Sequence, residues 1–260
     1  MLRFSANISL MFLEYDLLDR FQAARDAGFG AVEVQFPYDV PVDDLKSAKD
    51  DADVEITVIN VSVGDLVEGG PGLAAVPGRE DEFKQAVDVA CEYAEVLNPL
   101  NMNILAGWPS MDEFAREECL GVLVGNARYA AGALQECGVT ALVEAVNTRD
   151  RAGYLIHTTD QALDIIARAD HPNLAIEYDI YHMQIMEGDL APTIEKHLDN
   201  IGHIQFADTP GRHEPGTGEI NFPFLFEAID KMGYTGWLAA EYSPQGKTEN
   251  GLGWLQPYLK

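Results

Sequence analysis

Basic residues are scarce in this chain. Only 17 Lys and Arg, seven of them lysine, stand against 43 Asp and Glu, for a formal net charge of −26. A surface of that sign repels phosphate backbones, so nucleic acid is excluded as a partner. Cysteine is also rare: Cys91, Cys119 and Cys137 form no CxxC pair and leave an odd total. That argues against a disulfide framework or a zinc knuckle and leaves buried free thiols. No run approaches the eighteen or so apolar residues of a membrane span, and the start lacks the basic-then-apolar pattern of a signal peptide. A cytoplasmic protein without membrane attachment is expected. The acidic, lysine-poor surface fits either a very soluble enzyme or adaptation to high intracellular salt. Under the second reading, stability rises from dilute buffer to molar KCl; unfolding curves indifferent to salt would remove it.

What is present is a regular alternation. The 260 residues are 47% hydrophobic, enough for one domain spanning residues 1–260 with a well-buried core. Strands are expected at 3–8, 31–36, 54–61, 102–105, 140–145, 174–179, from 201, and at 236–241. Helices are expected at 16–27, 42–51, 80–97, from Ser110 to about Cys137, from Thr158 to about Ala169, 189–198, 221–232 and 248–254. Ser110 with Glu113 reads as a capping box, as does Thr158 with Gln161. Gly64 to Gly78 reads as a long Gly/Pro-rich loop of the kind that covers sites. Eight strand-then-helix units without a linker predict a (β/α)8 TIM barrel, with an open doubly wound sheet as the alternative.

The segment Ile201 to Asn221, IGHIQFADTPGRHEPGTGEIN, concentrates the chemistry. His203 and Gln205 leave one face of a strand together, and a loop of turn-forming and charged residues follows. Strands five to eight end on Glu144, Asp179, Gln205 and Glu241, and closing a barrel gathers those ends on one rim. Three carboxylates in one place repel unless a cation sits between them. Ligation by oxygen alone suits Mg²⁺ or Mn²⁺ better than zinc. Two remaining coordination positions would accept adjacent oxygens of a small anionic hydroxy-oxo acid. Arg212 is the candidate for its carboxylate, with a surface ion pair to Glu214 as the alternative. His182 is a candidate donor to a substrate oxygen; His203 is another, or it orients Gln205 from below. Glu177 could share the face of Asp179 or be salt-bridged inside the barrel, and Glu33 lies in mid-strand.

Several motifs fail on their own terms. Gly246-Lys247-Thr248 lacks the first glycine of a P-loop, and Gly216-Thr217-Gly218 lacks the third glycine and the position of a dinucleotide fingerprint. No nucleophile elbow is present. Six histidines are too few for the multi-zinc cluster of a phosphodiesterase or apurinic endonuclease.

SANISLMFLEYD, FPYD, PGRE, YDIYHMQ, HEPGTGEIN and the GW and EY around the last strand together resemble the hydroxypyruvate isomerase family, over about Leu2 to Tyr258. The resemblance implies a xylose-isomerase-like barrel that interconverts hydroxypyruvate and tartronate semialdehyde. It implies metal ligation by Glu144, Asp179, Gln205 and Glu241, with Glu144 and Glu241 as the acid/base pair. A 2-oxo-tetronate or a ketose is the alternative substrate. Two departures stand out: Ala145 where proline is usual, and Ser243 where lysine is common, the second removing a cation that could help hold a substrate carboxylate. An enlarged pocket behind Ser243 would favour the longer substrates. Association into a homo-oligomer is compatible with the sequence.

Overall fold

The computed structural model describes residues 2–259. Eight parallel strands close into a barrel in chain order, β1 to β8. They are β1 (Arg3–Asn7), β2 (Ala31–Val34), β3 (Glu55–Asn60), β4 (Asn101–Ile104), β5 (Thr140–Glu144), β6 (Leu174–Asp179), β7 (Ile201–Phe206) and β8 (Trp237–Ala240). The helices are α1 (Asp19–Asp26), α2 (Val42–Ala52), α3 (Glu80–Leu97), α4 (Arg116–Glu136), α5 (Thr159–Ala169), α6 (Ile180–Met186), α7 (Leu190–His197) and α8 (Phe222–Lys231). The (β/α)8 assignment holds, and closure through β1 and β8 rules out the open sheet.

The apolar residues of the strands alternate with polar ones because the two faces meet different surroundings. Outward side chains such as Phe4 and Phe206 pack against the helices, and both meet Trp254 with ring centroids 5.4 and 5.2 Å apart. Inward side chains are unusually polar: Ser5, Asn7, Glu33, Thr57, Asn101, Glu177 and His203 are all buried. A barrel that fills its interior with hydrogen-bonding groups is built to carry a polar site at its mouth.

Two helix expectations need correction, and one helix was not expected. The Ser110 capping box does not start a helix, because residues 111–115 form turns under the Ser110 carbonyl and α4 begins at Arg116. The segment Thr248–Trp254 winds as a 3₁₀ helix, consistent with Gly251 and Gly253 disfavouring an α-helix. Helix α6 escaped the periodicity because it spans barely two turns, directly after β6. The Asp179 carboxylate caps it by accepting the Tyr181 N–H at 2.7 Å. The Thr158 cap holds, with its hydroxyl accepting the Gln161 N–H at 3.3 Å.

Candidate active site

Every strand delivers a hydrogen-bonding group to the C-terminal rim. Asn7, Gln35, Asn60 and Asn103 come from β1 to β4, and Glu144, Asp179, Gln205 and Glu241 from β5 to β8. The rim is thus an amide half facing an acidic half. Most of these groups line one cavity of about 590 Å³, walled further out by Trp108, Tyr154 and the 64–78 loop through Leu66 and Val67.

The amides orient the acids. Asn103 Nδ2 donates to Glu144 Oε2 at 2.8 Å. Asn7 Nδ2 and Gln35 Nε2 both donate to Glu241 Oε1, at 3.2 and 2.6 Å. One oxygen of each glutamate is clamped by amides; among the described residues Oε1 of Glu144 accepts no hydrogen bond, whereas Oε2 of Glu241 is met by Arg212. Sequence reasoning overlooked these amides, although an Asn or Gln at or next to the end of each of the first four strands was a readable signal.

Gln205 is set from below. Its Nε2 donates to Glu33 Oε2 at 3.0 Å, so the amide oxygen is turned the other way. That Oε1 is buried and has no hydrogen-bond partner. An orphaned acceptor among three carboxylates is the environment of a hard-cation ligand. The donor set therefore fits a divalent ion held by Glu144, Asp179, Gln205 and Glu241. Glu33 is the group the sequence left undecided: it also accepts Asn7 Nδ2 at 3.0 Å and faces His203 Nε2 at 2.6 Å. His203, expected as a substrate contact, does not line the cavity. Its position one layer down fits the alternative reading, in which it steadies Gln205 through Glu33. Replacing Glu33 by Gln puts a donor against the Gln205 amide and should weaken Mn²⁺ binding about 10- to 100-fold, read by titration calorimetry. An unchanged affinity would remove Glu33 from this role.

His182 has a defined tautomer. The Asn147 amide oxygen accepts the Asp150 N–H at 2.8 Å, so its nitrogen faces His182 Nδ1 at 2.6 Å. Nδ1 therefore accepts and Nε2 carries the proton, 3.4 Å from Asp179 Oδ2 and 3.6 Å from Glu144 Oε1. Burial, reinforced by Arg212 and Arg151, holds the His182 pKa well below its ordinary value, so the ring is a neutral donor. Glu144, Asp179 and His182 form a group close enough to hold a metal ion, but with this tautomer the imidazole offers a proton and not a lone pair.

Arg212 reaches into the acids. Its Nη2 pairs with Glu241 Oε2 and lies 3.4 Å from Asp179 Oδ2, and the guanidinium stacks 5.3 Å from the Tyr181 ring centre. The surface pair with Glu214 is not formed; Glu214 instead accepts the Gln245 N–H at 3.1 Å. Burial works against the Arg212 charge, but Glu241, Asp179 and Glu144 outweigh it and raise its pKa. Ser243 does not line this cavity; it borders a separate cleft of about 360 Å³ with Leu13, Glu14 and Lys247, so no enlargement of the site lies behind it. Its backbone N–H instead holds the Arg212 carbonyl at 2.9 Å.

The acids themselves are strongly shifted. Burial raises Glu144 well above the usual carboxylate range, with the charges of Glu241 and Asp179 adding to it. Burial pushes Glu241 up to about 7 even though Arg212 pulls the other way. Asp179 is raised by burial and partly relieved by Arg212 and the backbone N–H groups of Tyr181 and His182. Glu177 makes no salt bridge; neither of its oxygens has a partner, and burial followed by Glu144 and Glu33 keeps it protonated to well above the usual range.

The loop after β7 is a knot around Asp208, whose charge is structural. Its carboxylate accepts the N–H groups of Thr209, Gly216, Gly218 and Ile220 at 2.8 to 3.1 Å. Gly218 is obligatory there, since a Cβ would fall 2.2 Å from the Thr209 carbonyl oxygen. Asp208→Ala strands four donors and should cost about 3 kcal/mol or more, lowering Tm by about 6 °C or more. Urea unfolding indistinguishable from the parent would contradict this.

A family model described as a xylose isomerase-like TIM barrel matches residues 21–258. The chain belongs to the xylose isomerase-like TIM-barrel family. The hydroxypyruvate isomerase of Escherichia coli is 45% identical over 99% of this chain and all of its own length. The 2-oxo-tetronate isomerase of Cupriavidus necator is 42% identical over 99% of this chain and 98% of its own. Among solved structures, a protein from Brucella melitensis described as an AP endonuclease, family 2, superimposes with a TM-score of 0.96 at 42% identity over the whole of both chains. The 3-keto-D-glucoside 4-epimerase of E. coli has a TM-score of 0.82 at 20% identity over 99% of both chains and shares the barrel fold. The motif resemblance to hydroxypyruvate isomerases therefore extends over the full chain of this xylose isomerase-like barrel.

Proposed function

We propose that this protein is a hydroxypyruvate isomerase that uses a divalent cation, Mg²⁺ or Mn²⁺. The observation that carries the reading is the arrangement of Glu144 and Glu241 in one cavity, each with one oxygen held by amides and Glu241 also met by Arg212, beside the unpartnered Gln205 oxygen. When bound, the ion would polarise the carbonyl and stabilise negative charge on the neighbouring oxygens.

One glutamate removes the proton from the hydroxymethyl carbon of hydroxypyruvate, leaving an enediolate. A proton passes between the two oxygens, and the other glutamate returns a proton to the former carbonyl carbon. The product is 2-hydroxy-3-oxopropanoate, isomeric with the substrate, so no oxidant or reductant is consumed. Carboxyls raised toward neutrality suit this task, because each must both take and give a proton near physiological pH. His182 Nε2–H and the unpartnered Arg212 Nε donate to substrate oxygens.

A 2-oxo-tetronate is the second reading. It is favoured by a cavity of about 590 Å³, far more room than a three-carbon acid needs, and by the identity to 2-oxo-tetronate isomerases. An endonuclease reading has less support, since the site is lined by acids and each metal-capable group among the described residues holds a single histidine.

The deciding experiment follows hydroxypyruvate by NMR in D₂O with the metal-loaded protein and a chelated control. Metal-dependent conversion with deuterium entering at carbon is expected. Neither conversion nor exchange in folded, loaded protein would overturn the reading and shift attention to the four-carbon acids.

A further inference from the structure

The substrates proposed above carry a carboxylate, and the inner site has no charge to spare for it. Arg212 is spent on Glu241 and Asp179. A divalent ion together with Arg212 balances Glu144, Asp179 and Glu241 and leaves nothing over.

The missing charge stands at the cavity mouth. The chain has ten arginines, and eight of them are committed to carboxylates or backbone carbonyls. Of these arginines only Arg149 and Arg151, among the described residues, make no hydrogen bond or ion pair through their side chains, and both line this cavity. In a chain of net charge −26, guanidinium groups without an acidic neighbour in contact are unexpected on a random patch of surface.

Their placement is built. Both are exposed and flank Asp150, whose Oδ2 accepts from the Tyr181 hydroxyl at 2.7 Å and Asn147 Nδ2 at 3.1 Å. The Asp150 N–H is tied to Asn147 Oδ1 at 2.8 Å and the Arg151 N–H to the Asn147 carbonyl at 3.2 Å. The intervening acid is thereby tied to Tyr181 and Asn147, on the network that orients His182, and makes no ion pair with either arginine. The field of Arg151 also reaches His182.

We propose that Arg149 and Arg151 are the specificity-determining residues that take the substrate's carboxylate, selecting acids over neutral sugars of the same length. They supply from the β5 loop the cation that Ser243 cannot supply after β8. The inference rests on the isomerase reading for the identity of the acid but not for the anion contact itself.

The test therefore measures binding as well as turnover. Calorimetry of the Mn²⁺-loaded protein with D-glycerate, and with glycerol as its neutral counterpart, separates the charge contact from the rest. In the R149Q/R151Q double variant the Kd for D-glycerate should rise about tenfold or more, and KM for the turned-over acid should rise with it while kcat stays within about threefold. Lysine at both positions should recover part of the loss, since it keeps the charge without the fork. R168Q removes a single charge, one already paired with Glu117 and Asp164, and should leave binding unchanged. D-glycerate binding that is undetectable in the parent, unaltered in the double variant, or equally weakened by R168Q would overturn the proposal. A parent that binds D-glycerate through these arginines but isomerises no acid would overturn the isomerase reading alone.

Discussion

Replacing Glu144 or Glu241 by glutamine should lower kcat by at least about 10³-fold. A positioned base is typically worth about 10² to 10⁴-fold, and each of these residues is placed to ligate the ion as well. The two variants should fail differently. The one that loses the base for the hydroxymethyl carbon should no longer exchange that carbon's protons with D₂O when given hydroxypyruvate. The one that loses the second group should still exchange them without forming product, because the enediolate can only return. Bound Mn²⁺, measured on each variant, separates loss of the base from loss of the ion. Both variants should stay folded, since a neutral amide replaces a carboxyl whose charge burial already opposes. Retention of kcat within tenfold in either variant would dismiss the two-glutamate mechanism.

Removal of divalent cations should abolish turnover and reverse the usual benefit of neutral pH for stability. In the chelated protein Glu241 holds its proton up to about 7, and burial raises Glu144 and Glu177 well above the ordinary carboxyl value near 4.5. These groups bind more protons folded than unfolded, so stability is fully present below about pH 4.5 and falls as the pH rises through 7 and beyond. A drop in Tm on the order of 5 °C between about pH 5.5 and pH 8 is expected in EDTA. Mn²⁺ should restore the loss at the higher pH, because the ion favours the ionised carboxylates and displaces their protons. A chelated protein as stable at pH 8 as at pH 5.5, or one that gains nothing from Mn²⁺, would show that the acids are not assembled as described. E241Q should flatten part of the pH dependence in EDTA.

The reading of strand ends succeeded where burial and chain closure act together. Glu144 and Asp179 end near-continuous apolar runs, and an acid in that position has few explanations besides a site. The same logic applied to Asn7, Asn60 and Asn103 would have found the amide half of the rim. It was missed because an amide at a strand end carries no charge and is easily read as a turn residue. Asp208 marks the opposite limit, since a charge in a loop looks free until the four N–H groups around it are in place.

The sequence by itself determined the barrel and the polar groups that end its last four strands. Hydrophobic period, strand count and the right-handed crossover leave little choice of topology once eight strand-then-helix units follow one another. Tertiary structure alone decided the state and direction of each group. Gln205 leaves its oxygen unpartnered because Glu33, from a strand distant in the chain, takes its nitrogen. His182 is a neutral donor because Asn147 and two arginines surround it, and Arg212 belongs to Glu241 and not to its sequence neighbour Glu214. Hydrogen-bond direction and protonation depend on neighbours brought together by closure of the barrel, and no local pattern encodes them.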